Sequence, residues 1–454
     1  MSTELGKTKA VANPTKTFFV RMITRDITLE DCILDLIDNS VDGAWRSEGS
    51  RPMGLAQDVD LSPYTIKITA TPEIFCIEDN CGGMTLDDAV NHAFSFGRKA
   101  TDGTDDYSIG VYGIGMKRAV FKLGSDILVR STFLDDNEDE LAFAVPIMVS
   151  DWLRDDTPPW DFDIVDDEGL NENGVQIVVR SLTSGVATSF GSPAFMQNLR
   201  RTIGRDYSIH LHRGLNIHLN GTPIPGWQIE MLEGADFSPM RIDYRDEAVE
   251  GVAVEIIGGM AAPPPDTGEP DVEDEGEKRF GWYVVCNGRI VLAADKTTVS
   301  GWGTEQWPQW HRQYSGFIGI ILFTAADAAD LPLTTTKRSV DTSSEVYRRA
   351  RPKMREVTRS WIDYTNSRKQ ALDEAKRIEA TAAPVPIYAV AKRTTAVLPR
   401  LIAKPPEPVA NVNYSVPLVR LKRLAKAMGR SSLAYRDVGL KSFEYAYDDL
   451  VGEE

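Results

Sequence analysis

The sequence predicts an α+β fold, and three features of its first 190 residues support this prediction. Apolar residues recur at helical spacing near residue 35, two short runs between 65 and 80 alternate like strands, and further strand-like runs follow a second glycine-rich loop. Helix, hairpin, polar loop, helix and strands in this order predict an α/β sandwich, and they argue against a doubly wound parallel sheet.

The first predicted helix has one apolar and one polar face. It begins after Thr28, a suitable N-cap because its hydroxyl accepts a hydrogen bond from the first helical turn. The apolar positions at helical spacing are Ile33, Leu34, Ile37 and Val41. The polar positions at i, i+4 and i+7 are Asp35, Asn39 and Asp42. Such a helix buries one face and presents carboxylate and amide oxygens on the other.

Two glycine-rich loops follow this helix. Residues 65–83 predict a hairpin whose second strand ends at Asp79, just before the pair Gly82 and Gly83. Residues 85–108 are polar and rich in Asp, Gly and Thr, which is typical of a mobile lid. The run GVYGIGMK at 110–117 then opens a helix, and bare glycine amides at a helix N-terminus predict a phosphate cradle.

The rest of the chain predicts three further parts after a first domain over residues 1–188. A second α/β domain spans 189–345 and carries a proline-rich acidic loop at 261–278, which is too polar to pack. A long charged helix follows at 346–384, with Pro352 near its first turn or at a kink, and residues 385–454 form a small C-terminal segment. His210, His212 and His218 have strand-like spacing, which favours surface or core histidines over a metal site.

Composition excludes several classes of protein. A chain of 454 residues predicts two or three domains, and it contains no run of about eighteen apolar residues that would span a membrane. The N-terminus lacks a secretory pattern and the four cysteines lack disulfide or metal spacing, which predicts a cytoplasmic protein. The net charge of −17 opposes indiscriminate binding to nucleic acid, so contact with DNA would have to be local or made by a partner.

Three motifs in a fixed order resemble those of the GHKL superfamily, which contains gyrase, heat-shock chaperone, histidine kinase and MutL ATPases. DLIDNSVDG at 35–43 resembles the N-box, while EDNCGGMT at 78–85 and GVYGIGMK at 110–117 resemble the two glycine boxes. The resemblance is closest in style to MORC-like and MutL-like ATPases and covers residues 18–345. It implies a Bergerat-type sandwich followed by a transducer-like domain, with ATP and Mg²⁺ as ligands.

The resemblance also implies roles for individual residues. Asn39 would bind Mg²⁺, and Asp79 would accept a hydrogen bond from the adenine amino group. Gly83 would keep side chains out of the way of the purine, and Met84 would supply apolar contact to its ring. Ser95 and Lys99 would reach ribose or phosphate when the lid closes, and Lys337 in LPLTTTKRSVD would reach the γ-phosphate. The phosphate-binding loop would comprise Gly110, Val111, Tyr112, Gly113, Ile114, Gly115, Met116 and Lys117.

Two departures from the family pattern affect the prediction. Cys81 stands where the first glycine box usually has glycine, and Asp35 stands where the family has its catalytic glutamate. Aspartate keeps the carboxylate of a general base but withdraws it by one methylene, and a misplacement of about 1 Å can cost on the order of 10²-fold in rate. The sequence therefore predicts a slow ATPase, with a non-hydrolysing nucleotide sensor as the alternative.

Several functions are compatible with these motifs. The first is an ATPase that closes or dimerises on ATP and signals to a protein partner through its C-terminal region, in a DNA-related or phage-defence setting. A chaperone-like ATPase ranks lower because little chain follows residue 385. A histidine kinase is disfavoured because the first histidine, His92, comes after the N-box and the first glycine box.

Overall fold

The protein has the α+β fold predicted from its sequence. The computed structural model describes residues 14–52, 54–55, 57–95, 107–109, 114–157, 160–266, 277–304, 307–334, 336–401, 410–429 and 433–452. The chain divides into two compact units, Met1–Ala403 and Lys404–Glu454. Within the described ranges, no helix combines the length and apolar character needed to cross a lipid bilayer.

A large, mainly antiparallel sheet forms the first layer of the larger unit. Its strands within the described ranges are β1 (Thr65–Ala70), β2 (Phe75–Asp79), β3 (Gly124–Leu134), β4 (Glu140–Met148), β5 (Val165–Asp166), β6 (Gly174–Leu182), β7 (Asn216–Leu219) and β8 (Thr222–Pro223). Their order is β5-β4-β3-β6-β2-β1-β7-β8, and β1 and β7 are parallel. Since β7 and β8 come from beyond residue 188, this sheet crosses the predicted limit of the first domain, and that limit stays a prediction.

Helices and this sheet share one hydrophobic core. The helices are α1 (Lys16–Arg25), α2 (Leu29–Ser47), α3 (Leu86–Asp88), α4 (Gly115–Leu123), α5 (Val149–Trp152), α6 (Ser184–Phe190), α7 (Pro193–Asp206) and α8 (Ser208–His212), with a π-helix at Ala89–Ala93. The Thr28 hydroxyl accepts a hydrogen bond from the Asp31 amide at 3.1 Å, so the predicted N-cap is confirmed.

The predicted apolar face of α2 is also confirmed. Ile33, Leu34, Ile37 and Val41 are completely buried. Full burial of such a side chain contributes about 1.5–3 kcal/mol, so α2 is firmly anchored against the sheet. Its polar face is thereby fixed in space.

The prediction that the histidines lie on strands is wrong for His210 and His212. Both lie in α8, while His218 lies on β7. The Leu211 amide donates to the Tyr207 carbonyl at 2.9 Å, as in a helix. Over five residues, alternation of apolar and polar side chains fits a short buried helix as well as a strand, which is why the spacing misled.

A second sheet follows, and it is covered on both faces. Its described strands are β10 (Met240–Arg245), β11 (Ala253–Met260), β12 (Gly281–Cys286), β13 (Arg289–Asp295) and β14 (Phe317–Thr324), in the order β10-β11-β14-β12-β13. Every residue of β12 and β14 is buried. One face packs against α9 (Glu345–Arg368), and the other packs against residues that include Leu55 and Ile209. A ribbon of β9 (Glu230–Glu233) and β15 (Ala383–Pro386) lies in the same unit.

The predicted single helix over 346–384 is wrong in one respect. The chain forms α9 and a separate α10 (Leu372–Glu379), with a break between them. The physical reason is a buried cluster in which Glu379 accepts hydrogen bonds from Arg368 at 2.7 Å and Tyr364 at 2.6 Å, which requires the chain to turn back. Pro352 lies inside α9, beyond its first turn.

The smaller unit contains α11 (Leu418–Ala427) and α12 (Tyr435–Val451). Ala425 and Val438 are buried, whereas large apolar side chains such as Phe443 and Leu450 are exposed. In the larger unit, residues 267–276 of the predicted acidic loop lie outside the described residues. Asp266, just before them, pairs with Arg368 at 3.1 Å.

Candidate nucleotide site

A cavity of about 220 Å³ lies between α2, the end of β2, the start of α4 and the loop that carries Lys337. The predicted site residues that line it are Asp35, Asn39, Asp79, Gly83, Met84, Ile114, Gly115, Met116 and Lys337. The predicted residues that lie outside the described part of the chain are Lys99, Gly110, Val111, Tyr112 and Gly113. Ser95 and Lys117 are described but do not line the cavity.

Asp79, at the end of β2, lines the cavity. Its carboxylate accepts hydrogen bonds from the Ser40 hydroxyl at 2.5 Å, the Cys81 amide at 3.0 Å and the Val175 amide at 3.2 Å. Burial raises the pKa of Asp79, against the effect of these donors. A carboxylate offers about four acceptor positions, so it has room for a further donor from the cavity side.

The glycine pair after Asp79 brings the loop against strand β3. Gly82 and Gly83 have φ of +93° and +76°, in the left-handed region that favours glycine. A Cβ on Gly83 would overlap the carbonyl oxygen of Thr132. The next residue, Met84, is held by Ser131, whose hydroxyl lies 2.7 Å from the Met84 amide and 2.8 Å from its carbonyl oxygen. Gly83 is therefore required by backbone conformation and packing as well as by any ligand.

Asp35 also lines the cavity and lies between two basic side chains. Arg118 donates to its Oδ2 from Nε at 2.8 Å and from Nη2 at 2.6 Å. Lys337 Nζ lies 3.2 Å from Oδ1 of the same carboxylate. Gly115 is close by, since a Cβ there would be 3.4 Å from the Asp35 carboxylate.

Asp38 is fully buried, shares Lys337 with Asp35, and joins three elements. It accepts hydrogen bonds from the Tyr207 hydroxyl at 2.6 Å, from Lys337 Nζ at 2.9 Å and from Arg289 Nη1. Burial alone would raise the pKa of Asp38, but Arg289 and Lys337 outweigh it and hold this pKa below its usual value. The same pairing outweighs burial in Lys337, whose pKa is raised. Lys337 also has φ of +54°, an uncommon conformation for a residue other than glycine.

Comparison with protein families identifies the first part of this architecture. Residues 27–166 match the family model for histidine kinase-, DNA gyrase B- and HSP90-like ATPases. This segment is a GHKL ATPase domain. No curated protein matches the chain. The match spans α2 to β5, so Arg289 and Lys337 lie beyond it.

Within the GHKL domain, Asn39 fits the Mg²⁺ that the family implies. Its side chain is exposed to the cavity and makes no hydrogen bond to the described residues. The described parts of the chain contain no group of three His, Cys, Asp or Glu residues able to hold a metal ion. Mg²⁺ is commonly held by one or two protein oxygens together with phosphate oxygens and water, which is the donor set that Asn39 and a nucleotide would supply.

Lys117 and Ser95 of the GHKL domain lie differently from the predicted arrangement. Lys117 is buried and donates to the carbonyl oxygen of Ala93 at 2.8 Å and to that of Ser95. Burial lowers the pKa of Lys117 to about 8. The Ser95 hydroxyl donates to the Asn91 carbonyl at 3.0 Å. Lys117 thus ties α4 to the segment that follows the π-helix, and its phosphate contact stays a prediction.

Sequence reasoning did not assign a site role to several residues that line this cavity or pair with the buried Asp38. They are Ser40, Arg118, Tyr207 and Arg289. Ser40 and Arg118 adjoin the predicted residues Asn39 and Lys117, and Arg289 lies in VVCNGRIV at 284–291, a strand motif that resembles the one preceding the transducer lysine of the family, so their neighbours were signals. Tyr207 gave no comparable signal because it meets Asp38 across 169 positions of the chain.

Proposed function

We propose that the protein is a slow, nucleotide-gated ATPase of the MORC-like or MutL-like kind. It binds ATP with Mg²⁺, closes or dimerises on ATP, and signals this state to a protein partner through its C-terminal region. The observation that carries the proposal is that Lys337 reaches Asp35 and Asp38 in α2, across 299 positions in the case of Asp38. The second sheet and its loops thereby sense the site built by the first.

Asp79 supports recognition of an adenine base. Its acceptor capacity faces the cavity, and Gly83 and Met84 lie beside it. A hydrogen bond to a charged acceptor contributes about 1.5–3 kcal/mol, which corresponds to roughly ten- to hundredfold in affinity. Asp79 would thus select a base that carries an amino group.

Asn39, Lys337 and the start of α4 support binding of the triphosphate. Asn39 supplies an oxygen to Mg²⁺, and Lys337 supplies a positive charge to the terminal phosphate. Mg²⁺ would neutralise phosphate charge when bound. Ile114 and Gly115 bring backbone amides to the N-terminus of α4, where anions are favoured.

The arrangement of Asp35 explains why turnover would be slow. As general base, Asp35 must accept a proton from water at an oxygen that faces the phosphate. Both of its oxygens are held by Arg118 and Lys337, so Oδ1 becomes available when Lys337 moves to a nucleotide. Turnover therefore depends on displacement of Lys337 as well as on the shorter side chain of aspartate.

Equilibrium binding and single-turnover hydrolysis of Mg²⁺–ATP test this function. We expect Asp79→Asn to weaken binding by roughly ten- to hundredfold, because the amide presents a donor and a weaker acceptor to the base. Asp35→Asn should keep binding and lose turnover. Asp58→Asn, an exposed carboxyl elsewhere in the domain, is the control and should behave as wild type. Wild-type protein that does not bind ATP would contradict the proposal.

A nucleotide sensor without hydrolysis is the second candidate. The pairing of both Asp35 oxygens with basic side chains favours it, since that arrangement opposes proton transfer. Tight binding of ATP by wild type with no turnover over many hours would select this candidate. A chaperone-like ATPase would instead suppress aggregation of a client protein in an ATP-dependent manner.

Helix α1 supports dimerisation on ATP. Phe18 and Met22 lie one turn apart on it, and each side chain is 56% exposed. Sedimentation with a non-hydrolysable ATP analogue should therefore give a dimer for wild type and a monomer for Phe18→Asp. Wild type that stays monomeric at saturating analogue would exclude dimerisation. Binding to DNA and a phage-defence setting belong to the same proposal and require separate assays with DNA and with phage.

A further inference from the structure

We propose that Arg289 is a positioning residue that keeps Asp38 paired while Lys337 moves from Asp38 to the terminal phosphate of ATP. This inference rests on the function proposed above and extends it to a residue outside the GHKL segment. Asp38 is buried and shared by Arg289 and Lys337. When ATP binds, one of these two basic side chains has to leave Asp38 and the other has to stay.

Arg289 is the basic partner that stays paired with Asp38, because its surroundings hold it in place. It begins strand β13, is 1% exposed, and lies with its guanidinium 5.7 Å from the ring centre of Tyr207. Tyr207 in turn donates to Asp38 at 2.6 Å and also lies 2.8 Å from the Leu34 carbonyl oxygen. The Nε of Arg289 has no hydrogen-bond partner within the described ranges, so the interaction of Arg289 with Asp38 is central to its burial.

Lys337 is the basic partner that can leave Asp38. It lines the cavity, whereas Arg289 is absent from the cavity lining. It lies in a loop, at φ of +54°, and its ammonium is a single point charge shared between Asp35 and Asp38. A phosphate entering the cavity would compete with both carboxylates for this one group.

The energetic role of Arg289 follows from the burial of Asp38. If Lys337 were the sole basic partner, its departure would leave a buried carboxylate without charge compensation, which is strongly unfavourable. With Arg289 and Tyr207 in place, Asp38 keeps a charged and a neutral donor after Lys337 leaves. Arg289 thus lowers the free energy that ATP must supply to attract Lys337.

The turn before Arg289 fixes its position relative to the cavity. Asn287 and Gly288 have φ of +44° and +85°, as in the tight turns that join antiparallel strands. The Asn287 side-chain amide donates to the carbonyl oxygens of Ser108 at 3.0 Å and Ala325 at 3.1 Å, and Ser108 lines the cavity. A Cβ on Gly288 would lie 2.6 Å from the ring of His210. This explains the NGR residues of the strand motif in structural terms.

Affinities for ATP and ADP, measured with Mg²⁺ by calorimetry, test the proposal. ADP lacks the phosphate that attracts Lys337. Arg289→Met should therefore lower the affinity for ATP by roughly ten- to hundredfold and change the affinity for ADP by no more than about twofold. Arg289→Lys should restore much of the preference for ATP. In the double variant with Lys337→Met, the Arg289 substitution should cause no further loss, because the group that moves is missing.

Arg241→Met is the matched control. Arg241 is a buried arginine in the same sheet, paired with Glu255 at 2.6 Å and absent from the cavity lining. Its substitution should lower the melting temperature and leave the ATP-to-ADP affinity ratio unchanged. If Arg289→Met does not fold, Tyr207→Phe removes the other fixed donor of Asp38 and should lower the same ratio by a smaller factor.

The outcomes separate this proposal from the function on which it rests. Wild type that binds neither nucleotide would refute the proposed function and this inference together. Wild type that binds ATP, with Arg289→Met weakening ATP and ADP equally or neither, would refute the inference alone and leave Arg289 a structural residue.

Discussion

Two buried aspartates lie at the nucleotide site, Asp79 in the lining of the cavity and Asp38 behind it, and the partners of these residues differ in kind. Asp79 is held by a hydroxyl and by backbone amides, and burial raises its pKa. Asp38 is held by Arg289, Lys337 and a phenol, and the basic side chains outweigh burial and lower its pKa. Uncharged donors therefore hold Asp79, whereas two charged donors and one hydroxyl hold Asp38.

Two buried lysines repeat this contrast. Lys117 donates to carbonyl oxygens, and burial lowers its pKa to about 8. In Lys337, the carboxylates of Asp38 and Asp35 outweigh burial and raise the pKa. The same type of side chain therefore pairs with carbonyl oxygens near the π-helix and with two carboxylates at the cavity. The following substitutions test whether this difference in partners has the expected consequences.

The largest effect is expected for Asp38→Asn. Removing this charge leaves Arg289 buried without its ionic partner, and breaking such a pair costs about 3–5 kcal/mol of unfolding free energy. Asp79→Asn is the matched substitution at the aspartate held by uncharged donors and should cost about 1–3 kcal/mol. Urea denaturation of both variants measures the difference. Equal losses would mean that the two aspartates do not differ energetically.

An intermediate effect is expected for Lys117→Met, which should change how the free energy of unfolding depends on pH. The folded-state pKa is about 8 against an ordinary 10.5, so the unfolded chain binds more protons between these values. The contribution of Lys117 to the free energy of unfolding therefore rises as the pH increases across this window, by up to about 3 kcal/mol. The stability difference between wild type and Lys117→Met, measured from pH 7 to 11, should show this rise.

Lys122→Met, five residues further along α4, is the control for that experiment. The same difference curve should be flatter for this variant than for Lys117→Met. A flat curve for Lys117→Met would mean that the Lys117 ammonium is solvated well enough to keep its proton.

The smallest effect is expected for Ser40→Ala. It removes the hydroxyl that donates to Asp79 at 2.5 Å and leaves the amides of Cys81 and Val175 in place. Unfolding free energy should fall by about 1–2 kcal/mol, measured by urea denaturation beside Ser150→Ala, an exposed serine. A loss as large as that of Asp38→Asn would show that Asp79 depends on this one neutral donor as strongly as Asp38 depends on charge.

Much of the site could be predicted because its parts are local in sequence. The N-cap at Thr28, the apolar spacing of α2 and the glycine pair after Asp79 each determine structure within a few residues. These short-range features bring Asp35 and Asn39 onto one side of a buried helix. The orientation of the Lys117 side chain was harder to predict, because a lysine beside a glycine loop can face either a ligand or nearby carbonyl groups.

Local patterns in the chain were enough to predict the α+β class, the α2 helix, the β2 strand and the family of residues 27–166. Tertiary structure alone decided that Arg289 meets Asp38 across 251 positions, that Lys337 shares two carboxylates, and that His210 lies in a helix. The physical reason is that helical and strand patterns depend on neighbours in the chain, whereas a buried charge requires a partner that can come from any part of it.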